Sequence, residues 1–245
     1  MAVTGTVAGD QTYTVSGPGA NAGETLSASA TFTISNLDLV VTLSNTSTSD
    51  PVNANDILTA FFFKLEGDLQ LTPVSAEVAP GSSVVGHKLP LGFTGDVGSQ
   101  WAYRNDLVGL TNGVNEGISS ETLKWFGTKN LFSSQKIKGF GSFGSIAFGL
   151  TTDDDFPSND QGNIKNQGLI QNAVVFTFSG LPRDFALSDI SYVTFQYGPN
   201  LKTRAEELMA NNVPEPSTVG LVALGMLGVL AVSRRALARK SDSAY

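Results

Sequence analysis

The sequence predicts an all-β chain: one β-sandwich- or jelly-roll-like domain followed by a short C-terminal transmembrane helix. Three observations carry this expectation. Apolar residues alternate with hydroxyl residues at a period of two, Gly and Pro punctuate the gaps between such stretches, and helical periodicity is nearly absent. With 245 residues the chain is long enough to bury a core without metal or disulfide support. It contains no cysteine, which excludes disulfides, thiolate metal sites and cysteine nucleophiles.

The elements follow in chain order. Thr4–Ala8 and Gln11–Ser16 are the first strand candidates. Leu26, Ala28, Ala30, Phe32 and Ile34 then alternate with Ser and Thr, giving one apolar face and one hydroxyl face. After Ser35-Asn36 the alternation resumes at Leu37, Leu39, Val41 and Leu43, which predicts a hairpin with a tight polar turn and both apolar sets in one core. The sequon Asn45-Thr46-Ser47 reads as turn chemistry. Further strands are expected at Ile57–Leu65, Pro73–Val78, Ser145–Thr151, Asn172–Ser179 and Ile190–Tyr197. Phe61-Phe62-Phe63 interrupts the alternation, as in a strand covered on both faces. Residues 1–200 form one domain by this reading, because no linker divides them. Residues 201–213 are a linker or a short helix over Leu201–Asn211, with Thr203 and Glu206 spaced as a capping box. Residues 214–240 differ in composition from all that precedes.

Charge separates the two parts. The whole chain carries −7, but from Pro214 onward Arg234, Arg235, Arg239 and Lys240 face only Glu215 and Asp242. The body therefore holds 11 basic and 20 acidic residues, a net charge of −9. Such a body repels phosphate backbones, so nucleic acid is not an expected partner.

Motifs that carry chemistry are few in the body. Gly139-Phe140-Gly141-Ser142-Phe143-Gly144 has the letters of a dinucleotide-binding loop, yet a strand-like stretch rather than a helix follows it, so glycines easing a bend in sheet fit better. Asp153, Asp155 and Asp160, with Asp154, Asn159 and Asn163, are candidate oxygen ligands for calcium; the spacing misses the EF-hand pattern, and a solvated acidic loop is favoured. Trp101, Tyr103 and Trp125 are candidate sugar-stacking aromatics, although aromatics at such positions more often fill a core. His87 is the only histidine, and no G-x-S-x-G elbow accompanies it. Paired carboxylates for glycoside hydrolysis stay open, since acids are plentiful and spacing in sequence says little. No enzymatic activity and no cofactor are expected.

The tail carries the clearest signal. Ser217–Val232 is uncharged and mostly apolar, about 24 Å long if helical. It spans a bilayer core of about 30 Å only marginally, and Gly220, Gly225 and Gly228 weaken it further. Arg234 and Arg235 follow and set topology, holding the end of the chain on the cytoplasmic side with the body outside. By composition a permanent C-terminal anchor is the simpler reading. Ahead of the run stands Val213-Pro214-Glu215-Pro216-Ser217, whose prolines keep the backbone extended and remove amide donors.

This order of tripeptide, short apolar run and paired arginines resembles the PEP-CTERM sorting signal of exosortase substrates. The resemblance implies that an exosortase is the processing partner and that Pro214, Glu215 and Pro216 form the sorting and cleavage motif. It further implies that the precursor sits transiently in the inner membrane through one C-terminal span, and that the body is released to the cell surface or matrix. The stretches DILTAFFF, GSQWAYR and VTFQYG resemble uncharacterised PEP-CTERM surface proteins of bacteria that make exopolysaccharide, a similarity extending over most of residues 25–200. Proteins of this kind begin with a secretory signal peptide, whereas MAVTGTVAGDQTYTVSG has neither a basic n-region nor an apolar h-region, so a leader is expected upstream of Met1. The functional expectation is a structural or adhesive surface protein of an exopolysaccharide or biofilm matrix. The alternatives are a secreted carbohydrate-binding, lectin-like module that contacts extracellular polysaccharide and, third, a secreted hydrolase.

Overall fold

The computed structural model describes residues 10–18, 25–67, 69–86, 89, 91–120, 130–134, 137, 146–152, 164 and 167–199, with the backbone of 208–209 and 211–212. The chain divides into two compact units, Met1–Val213 and Pro214–Tyr245, and every described residue belongs to the first. Among these residues the chain is all-β, with short 3-10 turns and no α-helix.

Alternation in the sequence becomes alternation in burial. Strand β1 is Gln11–Pro18, β2 Thr25–Ser35 and β3 Asp38–Asn45. On β2 and β3 the odd-even pattern sends Ala28, Ala30, Phe32, Leu39, Val41 and Leu43 fully inward and the serines and threonines outward. The hairpin turn differs from the expectation by one residue. Asn36 and Leu37 both have positive φ (51° and 68°), and Ser35 pairs with Asp38. This is the two-residue loop whose twist suits a hairpin, and it takes Leu37 out of the core into the turn, where it is exposed.

The remaining strands of the body are β4 Leu58–Leu65, β5 Thr72–Val78, β6 Ser83–Val85, β7 Ala102–Arg104, β8 Glu116–Ser119, β9 Leu150–Thr151, β10 Leu169–Gln171, β11 Ala173–Ser179 and β12 Ile190–Tyr197. Two short strands follow, β13 Leu208–Met209 and β14 Asn211–Asn212, in a segment expected to be a linker or a short helix. The strand expected over Ser145–Thr151 shrinks to β9, because Ile146–Phe148 is a turn with Phe148 at φ 60°. Thr4–Ala8 lies outside the described residues.

Two sheets result. The first runs β14-β1-β2-β3-β11-β5, each neighbour antiparallel. The second runs β13-β12-β4-β9-β10-β6, with β8 pairing β4 and β7 pairing β8; only β9 and β10 are parallel. Their inner faces share one core of interlocking aromatics. Phe32 of the first sheet lies edge-on to Phe61 and Phe63 of β4, with centroids 6.4 and 5.3 Å away. Phe176 of β11 meets Phe61 and Trp101. Side chains also tie the sheets through the backbone. Tyr13 Oη donates to the Ile190 carbonyl (2.6 Å), Tyr197 Oη to that of Ser27 (2.7 Å) and Asn45 Nδ2 to that of Leu150 (3.0 Å). Each bond satisfies a polar group inside an apolar layer and fixes one sheet against the other.

The phenylalanine triplet is covered on both faces, as its broken alternation predicts. Phe61 and Phe63 point into the shared core, while Phe62 lies half-buried on the other face of β4. There it occupies the space above Gly117, where a Cβ would come within 2.7 Å of Phe62 Cδ1 and 2.8 Å of Leu107 Cδ1. Glycine at 117 lets this second layer close down on the sheet.

The solvent face of the first sheet is rich in hydroxyls over β1, β2 and β3, and Glu77 of β5 stands on it opposite Val175. Thr12, Thr31 and Thr42 stand in one rung across three strands, and Thr33, Val40 and Thr177 in the next. Thr12 and Thr31 share a hydrogen bond of 2.9 Å. At the outward paired positions of β1, β2, β3 and β11 the only charged side chain is Asp38, beside the hairpin turn.

Candidate functional site

Most residues that the sequence singles out for chemistry fall outside the described part of the chain. These are Pro214, Glu215 and Pro216, the run 217–232 with Arg234 and Arg235, the acidic loop holding Asp153, Asp155 and Asp160, His87, Trp125 and Gly139–Gly144. Among the described residues no helix is long and apolar enough to cross a membrane. Among them also, no group of three or more His, Asp or Glu is placed to hold a metal ion.

Trp101 and Tyr103 are described, and they are core residues. Trp101 is 0% and Tyr103 2% exposed, with the indole edge-on to Phe176 and the phenol ring edge-on to Phe178 at 4.8 Å. Neither ring has a face open to a sugar, which is contrary to the sugar-stacking role expected of Trp101 and Tyr103. Trp101, just ahead of β7, and Tyr103 within it gain most by filling the layer between the sheets. Asn45 is likewise inside. Its Oδ1 accepts from the Ser47 amide two residues on (3.1 Å), an Asx turn, which accounts for the sequon as local backbone chemistry.

Among the described residues, the titratable group in the most unusual setting is one that no sequence motif marks. Glu116, at the start of β8 and opposite Phe63, is 1% exposed and points into the apolar layer, where Tyr103 Oη donates a hydrogen bond to its Oε2. Burial pushes the carboxyl up to about 7, against the downward pull of the Tyr103 hydrogen bond; the charge of Asp106 adds to the rise. Burial also raises the Tyr103 phenol, together with the Glu116 charge and the shared hydrogen bond. Asp106 itself is paired with Arg104 at the surface. The pair can hold or release one proton near neutral pH, with both side chains buried among the described residues. A signal for it existed in GVNEGISS, where Glu116 and Ile118 share an inward parity. Four residues are too short a stretch for that parity to be recognised unaided.

The described residue nearest in sequence to the tail motif is Asn212, and it belongs to the sheets. Strand β13 pairs with β12 through Met209↔Thr194 and Leu208↔Phe195, and β14 pairs with β1 through Asn211↔Thr14 and Asn212↔Tyr13. One short stretch of chain thus borders the second sheet and then the first, immediately before Val213.

Comparison with known proteins identifies the tail. Residues 212–235 match the family described as the PEP-CTERM protein-sorting motif. The match spans the tripeptide, the apolar run and both arginines, and leaves the β body unassigned. The motif supports an exosortase-dependent cell-surface protein, with exosortase as the processing partner. No curated protein and no solved structure matches the chain.

Proposed function

We propose that the chain is an exosortase-processed protein of the cell surface or extracellular matrix, whose body serves a structural or adhesive role in an exopolysaccharide or biofilm matrix without catalysing a reaction. The sorting motif at residues 212–235 is the observation that carries this reading. Within it Pro214-Glu215-Pro216 is the processing site and 217–232 a transient inner-membrane span. The positive charges of Arg234 and Arg235 keep the end of the chain on the cytoplasmic side. The run is short and interrupted by Gly220, Gly225 and Gly228, which suits a segment that is held and then given up better than a permanent anchor. The body suits a structural role: its interlocked aromatic core and cross-sheet hydrogen bonds make a stiff unit.

Mass spectrometry of the protein taken from the native surface tests the reading. The mature chain is expected to end near Pro214–Pro216 and to lack Val219–Val232. An intact C-terminus at Tyr245 in exosortase-competent cells would overturn it. Alanine at Pro214, Glu215 and Pro216 together is expected to leave uncleaved precursor in the inner membrane. Glutamate at Arg234 and Arg235 is expected to weaken its orientation there.

One observation favours a second reading, a carbohydrate-binding module in the same place. The hydroxyl-rich stretch of the first sheet over β1, β2 and β3, with Asp38 at the turn and Glu77 of β5 at its far border, offers hydrogen-bonding groups and threonine methyls on a body that is otherwise acidic. It would suit a neutral polysaccharide rather than an ionic one. Retention on immobilised neutral polysaccharide that is lost in a Thr31→Lys, Thr42→Lys double variant supports this reading, and no retention of the parent protein retires it.

A further inference from the structure

The sorting motif adjoins the folded body with almost no slack. Asn212 is at once the last residue of the sheet ladder and the first residue of the family match. Only Val213 separates it from Pro214, so the tripeptide begins within about 7 Å of the paired backbone even at full extension. Peptides recognised in extended form are held by main-chain hydrogen bonds and side-chain pockets over several consecutive residues. On the N-terminal side of Pro214 those residues include Leu208–Met209 and Asn211–Asn212, whose backbone is aligned with β12 and β1. A backbone amide or carbonyl committed to the sheet is not free for an enzyme.

We propose that β13 and β14 form a strap that must leave the edges of the two sheets before the sorting motif can be processed. The proposal rests on the exosortase reading above and adds a condition set by the body itself. The strap is suited to opening: each of its ladders is two residue pairs long, whereas β1 and β2 are joined by eight and β12 and β4 by six. Local opening draws on such sparsely bonded segments while the core stays closed. Processing is then governed by the fraction of molecules in which the strap is free, and a body that has not folded offers no strap and no delay.

Thr14 and Asn211 stand opposite each other in the antiparallel pair, where Cα atoms lie about 4.5–5.5 Å apart, a separation a disulfide accepts. Because the chain has no cysteine, a Thr14→Cys, Asn211→Cys pair forms one defined bond. The full chain is followed in exosortase-competent cells, with the ratio of precursor to mature protein as the readout. In the oxidised double variant mature protein is expected to fall about tenfold or more. Reduction with dithiothreitol, or either single cysteine, is expected to restore the parent ratio. Inserting about eight Gly and Ser residues between Asn212 and Val213 of the oxidised variant is also expected to restore it, by giving the enzyme extended chain outside the ladder. Unchanged maturation of the oxidised double variant overturns the strap, as does failure of the spacer to rescue it. Failure of the exosortase reading looks different, since the parent protein then keeps Tyr245.

Discussion

Replacing Glu116 with Gln is expected to remove a defined part of the protein's pH dependence. The carboxyl moves from an ordinary value of 4.5 in the unfolded chain to about 7 in the fold. The folded state therefore binds this proton more tightly than the unfolded state does. Stability from the group is fully present below about pH 4.5 and is lost progressively as the pH rises through 7. The rise from 4.5 to about 7 corresponds to at most about 3 kcal/mol. Urea unfolding followed by circular dichroism at several values between pH 4 and 9 measures it. Titrating groups that do not interact with Glu116 cancel in the difference between parent and Glu116→Gln, and Tyr103, which does, is raised away from this pH range. That difference should be small or in the parent's favour at pH 4 and should swing toward the variant by at most about 3 kcal/mol by pH 9. Tyr103→Phe provides a second check. The tyrosine's hydrogen bond pulls the carboxyl down, so its loss should move the titration to higher pH. A parent-minus-variant difference that stays flat across the range would refute the reasoning. The carboxyl would then be solvated or paired in a way the geometry does not show.

Phe32→Ala should cost about 3–5 kcal/mol, because the ring is fully buried and touches Tyr13, Phe61 and Phe63; a cost below about 1 kcal/mol in urea unfolding would place that face outside the core. Leu37→Gly should raise stability by up to about 1 kcal/mol, since the turn holds Leu37 at φ 68°, where glycine carries no steric penalty; a lower melting temperature would speak against this turn geometry. Millimolar calcium should raise the melting temperature by mass action if Asp153, Asp155 and Asp160 bind the ion, and identical melting in EDTA and calcium would retire them as ligands.

Six of the strands were legible in the sequence for one reason. On β1, β2, β3, β5, β11 and β12 the inward positions are mostly apolar or aromatic and the outward ones mostly polar or β-branched, so the pleat is written into the residues. Strand β4 was legible for the opposite reason, its phenylalanines marking cover on both faces. Strands β6, β7, β8 and β10 span three or four residues each, too few for a period of two to stand out from chance.

By itself the sequence determined the all-β class, the acidic body and the sorting motif, because these reside in composition, in local periodicity and in a linear pattern read by a processing enzyme. Tertiary structure decided what depends on who stands opposite. It put Trp101 and Tyr103 inside rather than on a binding face, and lodged Glu116 in a layer that raises its proton affinity. It also moved Leu37 into a turn and aligned Leu208–Met209 and Asn211–Asn212 with the edges of two different sheets. Leu37 is set by the local pairing of Ser35 with Asp38, but the other outcomes follow from contacts between residues distant in the chain. Burial, desolvation and strand pairing are properties of such contacts, and no local stretch of sequence contains them.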